Sequence, residues 1–194
     1  MANRPPKTKI TRDLLPSYGY EPPALLYGWP FKRDYFVKYA QRHWLSVDEI
    51  TEKYRERLGC PTNSFNFGDL TEEQARDPDL MRGLCLGARI ISVQHLIGMT
   101  GLMLEVGRPF SLELERILYI WTNYNIEKVY DKLAYNGRFE RIRKILDDAM
   151  NECLPDGERI ELQWWWSFDD NEVASIIRSN HGSFPELTRQ LRMS

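Results

Sequence analysis

Trp164, Trp165 and Trp166 stand side by side within Ile160-Glu-Leu-Gln-Trp-Trp-Trp-Ser-Phe168, a stretch in which apolar and polar residues alternate. A period of two is the mark of a strand, because successive side chains on an extended chain point to opposite faces. The pattern predicts a strand over 159–168. Ile160, Leu162, Trp164, Trp166 and Phe168 then share one face, and Glu161, Gln163, Trp165 and Ser167 share the other. Trp165 is the odd member, an indole on an otherwise polar face. A tryptophan can bury roughly 150 to 250 Å², several kcal/mol at about 25 cal/mol per Å². Its face must therefore be covered by the protein's own chain, by a second subunit or by a ligand. Trp165, with Glu161 and Gln163 as a polar rim and Asp169 and Asp170 at the end of the strand, is the first candidate binding site. The two aspartates also suit the N-terminus of a helix over Val173, Ala174, Ile176 and Ile177.

Elsewhere the chain reads mainly as helices. Phe36, Val37, Ala40 and Trp44 recur at helical spacing as a core stripe, and Ser46-Val-Asp-Glu49 followed by Val47, Ile50, Tyr54 and Leu58 reads as a capped helix stopped by Gly59. A short helix is expected over 71–76, with Pro78 separating it from the next segment. Arg89-Ile-Ile-Ser-Val-Gln-His-Leu-Ile97 is rich in β-branched residues and is read as a strand, although its apolar density also suits a buried helix. The alternation of Leu102, Leu104 and Val106, with Phe110, Leu112 and Leu114 beyond Gly107-Arg-Pro109, resembles a hairpin. Leu114, Ile117, Leu118 and Trp121 nevertheless lie at i, i+3, i+4 and i+7, and a helix is preferred there. Further helical stripes run through Ile126–Leu133 and Phe139–Met150, and a last short helix is expected after the capping sequence Ser183-Phe-Pro-Glu186. The resulting fold class is α+β, with six or seven helices packed on a small, mainly antiparallel sheet. A mostly α body with one hairpin is the alternative.

Six of the eleven prolines fall in the first 30 residues, which argues for an extended arm over 1–30 ahead of a single globular domain over 31–194. Tyr18, Tyr20, Leu25, Leu26, Tyr27, Trp29 and Phe31 make that arm too apolar to remain solvated, so it is expected to lie on the body. Residues 1–45 carry eight Lys/Arg against three Asp/Glu, and the remainder 18 against 25. Within the basic part, Lys32, Arg33, Lys38 and Arg42 are interleaved with Tyr35, Phe36, Tyr39 and Trp44, the residue types that hold and stack nucleic acid. The net charge of −2 argues against that use.

The motifs of phosphate-binding loops, dinucleotide folds, zinc proteases, calcium loops and nucleophile elbows are all missing. His43, His95 and His181 are far apart, and Cys60, Cys85 and Cys153 form no paired spacing, so neither a metal nor a cofactor is expected. The first 20 residues hold no apolar run suited to a signal peptide, and Arg89, Gln94, His95 and Glu105 interrupt the longest apolar stretch; an intracellular protein without a membrane span is expected. The function expected is a non-catalytic interaction or scaffold protein, with a homodimer as one form, working through the Trp165 face or the arm. The alternatives are a small-molecule-binding protein or an unfamiliar enzyme with a tryptophan-lined pocket and, less favoured, nucleic-acid binding through 32–44.

Overall fold

The computed structural model of the protein describes residues 6–46, 65–111, 114–133 and 137–168. Its contacts divide the chain into two units, the first formed by 1–30, 105–141 and 161–194, the second by 31–104 and 142–160.

The first unit is organised by four strands, β1 (Leu25–Phe31), β2 (Glu105–Gly107), β3 (Arg116–Thr122) and β4 (Gln163–Trp166), in the order β2-β3-β1-β4. β1 pairs antiparallel with β4, Leu26 opposite Trp165 and Tyr27 opposite Trp164; β2 pairs antiparallel with β3, Glu105 opposite Tyr119. The sheet then curls back on itself. The Phe110 N–H donates to the Trp166 carbonyl (2.7 Å) and the Phe168 N–H to the Arg108 carbonyl (2.9 Å), so the chain leaving β2 pairs with the outer edge of β4. Lys7 covers the same edge further along, exchanging two 2.8 Å backbone hydrogen bonds with Trp164, while its ammonium sits 5.7 Å from the Trp166 ring. An edge strand is thereby denied to other chains.

Residues from three of the strands meet inside the curl. Leu26, Ile117, Tyr119 and Trp165 form one buried cluster, with Leu114 packed against it. Gly107 of β2 admits Leu26, since a Cβ there would lie 2.5 Å from Leu26 Cδ1; a Cβ on Gly28 would lie 2.1 Å from the Leu118 carbonyl oxygen. On the opposite face Tyr27 stacks on Trp121, ring centroids 5.1 Å apart, and meets Trp164 at 4.8 Å. Tyr130 and Phe139, from α4 (Ile126–Leu133) and α5 (Arg138–Ala149), cover Trp121 from outside.

In the second unit α1 (Tyr35–Arg42) buries Tyr35, Phe36, Val37, Tyr39 and Ala40 and packs against the long α3 (Pro78–Thr100). α2 (Glu72–Arg76) begins with a reciprocal capping box between Thr71 and Gln74. Asp77 caps α3 by accepting from the N–H groups of Asp79 and Leu80, Pro78 occupies its first turn, and Gly101 at φ +64° closes it. With 23 residues and a mean hydropathy of 1.2 over an 18-residue window, α3 is long and apolar enough to cross a membrane. In this fold Leu84, Ala88, Ile91 and Leu96 make its buried row.

Three expectations are corrected. The described residues contain four helices of eight residues or more, α1, α3, α4 and α5, besides the five-residue α2, and a four-stranded antiparallel sheet, not six or seven helices on a small sheet. Arg89–Ile97 is helix, not strand: a second, half-buried row, Leu86, Ile90, Val93 and Ile97, lies opposite the buried one and blurs the single stripe that marks a helix. Pro78 does separate this helix from the short one before it, and occupies its first position. The preferred helix at Leu114–Trp121 is strand β3, whose residues from Ile117 to Thr122 are all buried, so the apolar run shows no alternation. The expected helix after Ser46, the aspartates Asp169 and Asp170 and everything beyond Phe168 lie outside the described residues.

Because Trp165 is core to the curl, Trp165→Ala should cost about 3 to 5 kcal/mol in denaturant unfolding. Gly28→Ala should cost about 1 to 3 kcal/mol, because a backbone carbonyl cannot step aside for the new methyl. A loss below about 1 kcal/mol in either variant would contradict this packing.

Candidate functional site

The candidates read from sequence are scattered by the fold. Trp165 is 9% exposed inside the curl, and its Nε1 has no acceptor among the described residues. Glu161 is exposed before β4 and Gln163 is half-buried opposite Gly28, so together they do not rim an open indole. Lys32 and Arg33 are exposed, whereas Lys38 pairs with Asp34 (3.0 Å) and Arg42 with Glu152 (3.7 Å). Tyr35, Phe36 and Tyr39 are buried, which removes three of the four rings that were to stack on bases. Trp44, expected in the core stripe, is exposed.

The arm supplies a more definite feature. Beyond a short 3-10 turn at Arg12–Leu14 that buries Leu14, Ser17 and Tyr20 close a tight turn, each backbone N–H donating to the other's carbonyl at 3.0 to 3.1 Å. Gly19 sits at φ +75°, a conformation other residues rarely adopt. Tyr18 is thrust out at 85% exposure and Tyr20 at 49%.

The base of this loop is tied to the curled sheet. Asn123, 1% exposed, follows β3; its side-chain amide donates to the carbonyls of Leu14 (2.8 Å) and Pro23 (3.1 Å), and its Oδ1 accepts from the Leu25 N–H (2.9 Å). Only an amide offers two donors and an acceptor on so short a stem. The Tyr124 hydroxyl adds a hydrogen bond to the Pro22 carbonyl. Pro16-Ser-Tyr-Gly-Tyr20 is legible as a turn, but its aromatic content suggested packing on the body; Asn123, about a hundred residues away, gave no local sign of its role.

The second unit gathers a polar cluster that spacing along the chain does not announce. Tyr39 of α1 and His43, which caps that helix, meet His95 of α3 and Glu152, just beyond α5. His43 Nε2 lies 2.5 Å from Glu152 Oε1, and the Tyr39 hydroxyl 3.1 Å from His95 Nδ1. The two imidazole centroids are 5.3 Å apart, with the Tyr39 ring 4.3 Å from that of His43. Nearby, the Tyr35 hydroxyl donates to the Ala149 carbonyl at 2.5 Å. Burial, helped by the Glu152 carboxylate, raises the Tyr39 phenol well above its ordinary range, and burial does the same for Tyr35 and the Cys153 thiol. Neutral Tyr39 can thus serve His95 as a donor, while Cys153 is the reverse of an activated nucleophile. Among the described residues no three His, Cys, Asp or Glu side chains could hold a metal. The partners are 56 and 109 positions apart, so pattern reading along the chain cannot pair them.

Comparison with models of known protein families, with curated proteins and with solved structures finds no match to this chain.

A tyrosine whose folded pKa is raised adds stability that is present below the unfolded value of about 10 and is lost as pH rises above it. Relative to pH 8, unfolding at pH 11 should therefore show Tyr39→Phe losing about 1.4 kcal/mol less than the wild-type chain. Equal losses would mean that the phenol is not held neutral.

Proposed function

We propose that the protein is a non-catalytic interaction module that binds another protein chain through the Tyr18–Tyr20 loop, with a second copy of itself as the first partner to test. The observation that carries this reading is two exposed tyrosines on a closed turn whose base is locked by one buried asparagine. Tyrosine brings large contact area at little entropic cost, and ordering the loop before binding removes a cost that a flexible arm would meet on association. A projecting turn is convex; it fits into a partner's groove and cannot enclose a small ligand. No Lys or Arg occurs between Asp13 and Phe31, so the tip also lacks the charge that a nucleic acid would require.

The test compares the wild-type chain with Tyr18→Ala/Tyr20→Ala and with Asn123→Asp. The double variant should stay within about 0.5 kcal/mol of wild-type stability while losing the concentration-dependent increase in mass seen by sedimentation, or losing a bound protein recovered with the wild type. Asn123→Asp turns an oxygen towards carbonyls that need donors, and should lower stability by about 1 to 3 kcal/mol together with binding. A wild-type chain that is monomeric at all concentrations and retains no protein would refute the proposal, as would equal binding by the double variant.

A further inference from the structure

Where the chain leaving β2 meets the end of β4, Pro109 bridges to Ser167, and both are buried on the face that Ser167 shares with Trp165. Alternation then sets Phe110 opposite Trp166, and Arg108 opposite Phe168, on the outer face. The rings of Phe110 and Phe168 stack there, with centroids 6.0 Å apart and planes 26° from parallel. Further back along β4, the Lys7 ammonium stands 5.7 Å from the centroid of the Trp166 ring. Phe168 is 51% exposed and Arg108 is exposed, while Lys7, Phe110 and Trp166 are half-buried. A short row of aromatic rings therefore carries a cation towards each end, and every member belongs to the first unit.

The backbone of this edge is already spent. Lys7 and residues 108–110 take up the hydrogen bonds of Trp164, Trp166 and Phe168, so an extended peptide has no strand to join and recognition falls to side chains. A ring with a cation beside it suits a base and its neighbouring phosphate, since every base has a π-face and every nucleotide a charge. The face lies on the outside of the curl, which favours a polymer that touches several groups over a small ligand that needs enclosure. Residues 7–14 and 108–110 carry Lys7, Lys9, Arg12 and Arg108 against one acid, Asp13. The Asp13 carboxyl is held below its ordinary range first by the Thr11 hydroxyl and last by Lys7, whose charge it offsets in part. We propose that the outer face of β4 is a platform for single-stranded nucleic acid, on which a base stacks against the Phe168–Phe110 pair while Lys7 and Arg108 hold the phosphates on either side. Asp169 and Asp170 follow Phe168 in the sequence, outside the described residues, and a strand crossing these rings binds against their charge. Affinity is accordingly weak and salt-sensitive, with a Kd of about 1 to 100 μM. The platform uses no residue of the Tyr18–Tyr20 loop, which the test leaves intact.

The probe is fluorescein-labelled oligothymidylate, titrated by anisotropy at low salt against the full chain, Phe168→Ala and Lys7→Gln/Arg108→Gln. An abasic strand of equal length supplies the same charge without bases. Oligothymidylate should bind the wild-type chain at least about fivefold more tightly than the abasic strand, and Phe168→Ala should remove that advantage while leaving abasic binding unchanged. Lys7→Gln/Arg108→Gln should weaken both strands and lower the slope of log K against log salt by about 1.4, two phosphate contacts at about 0.7 each. No binding at low salt, or equal binding of the two strands by the wild-type chain, overturns the proposal. Undiminished binding by the double variant also overturns it, whatever Phe168→Ala does to folding. A polyglutamate peptide bound as tightly as oligothymidylate overturns the choice of nucleic acid.

Discussion

The outer edge of β4 has to be closed, and the way it is closed shapes the rest of the first unit. A strand that pairs on one side only leaves a row of unsatisfied backbone groups. Here Arg108–Phe110 and Lys7 satisfy that row, and the sheet must bend to let them reach it. Bending brings Trp165, Leu26, Ile117 and Tyr119 to a common centre, which has room for them because Gly107 and Gly28 carry no side chain. The exposed indole implied by a flat strand becomes the centre of a small core. The same bend directs Tyr27, Trp121 and Trp164 outward, where Tyr130 and Phe139 cover Trp121.

Buried and half-buried polar groups give each unit its internal connections. In the first unit Asn123 spends its whole amide on three backbone groups, two of them in the arm before β1. In the second, Tyr39, His43, His95 and Glu152 link α1 to α3 and to the turn after α5. A net intramolecular hydrogen bond adds only about 1 kcal/mol, but leaving a buried partner unsatisfied costs about 1 to 3 kcal/mol. Such groups therefore select one arrangement of elements more than they add to its depth. This is why Asn123 can turn a proline-rich segment into an ordered loop, while the apolar core decides how firmly that unit as a whole resists unfolding.

Aromatic side chains are used in two distinct ways. Trp29, Tyr39, Phe36 and Phe67 are fully buried, whereas Tyr18 and Trp44 stand in solvent on backbone turns that hold them there. Tyr18 sits beside Gly19, which takes the left-handed conformation on its behalf; Trp44 takes that conformation itself. The second arrangement is the more costly, by about 1 kcal/mol or more, because a Cβ is penalised in the left-handed region.

Much of the local structure was legible. The short helix over 71–76, the helical stripes through Ile126–Leu133 and Phe139–Met150 and the extended character of Gln163–Trp166 all arise from short-range chemistry that survives folding. Legibility failed where an element is buried on two sides: α3 and β3 both read as dense apolar runs, which period counting assigns poorly. The cues that separate them were Asp77-Pro78 and Gly101, which cap a helix irrespective of its faces. Alternation along the strand by itself determined that Trp165 faces away from Trp164 and Trp166. Tertiary structure alone decided that this face turns inward, that Asn123 meets the arm, that His43 meets Glu152 and that Trp44 stays outside. Each of these depends on pairing residues far apart in the chain, and no local periodicity encodes such a pairing.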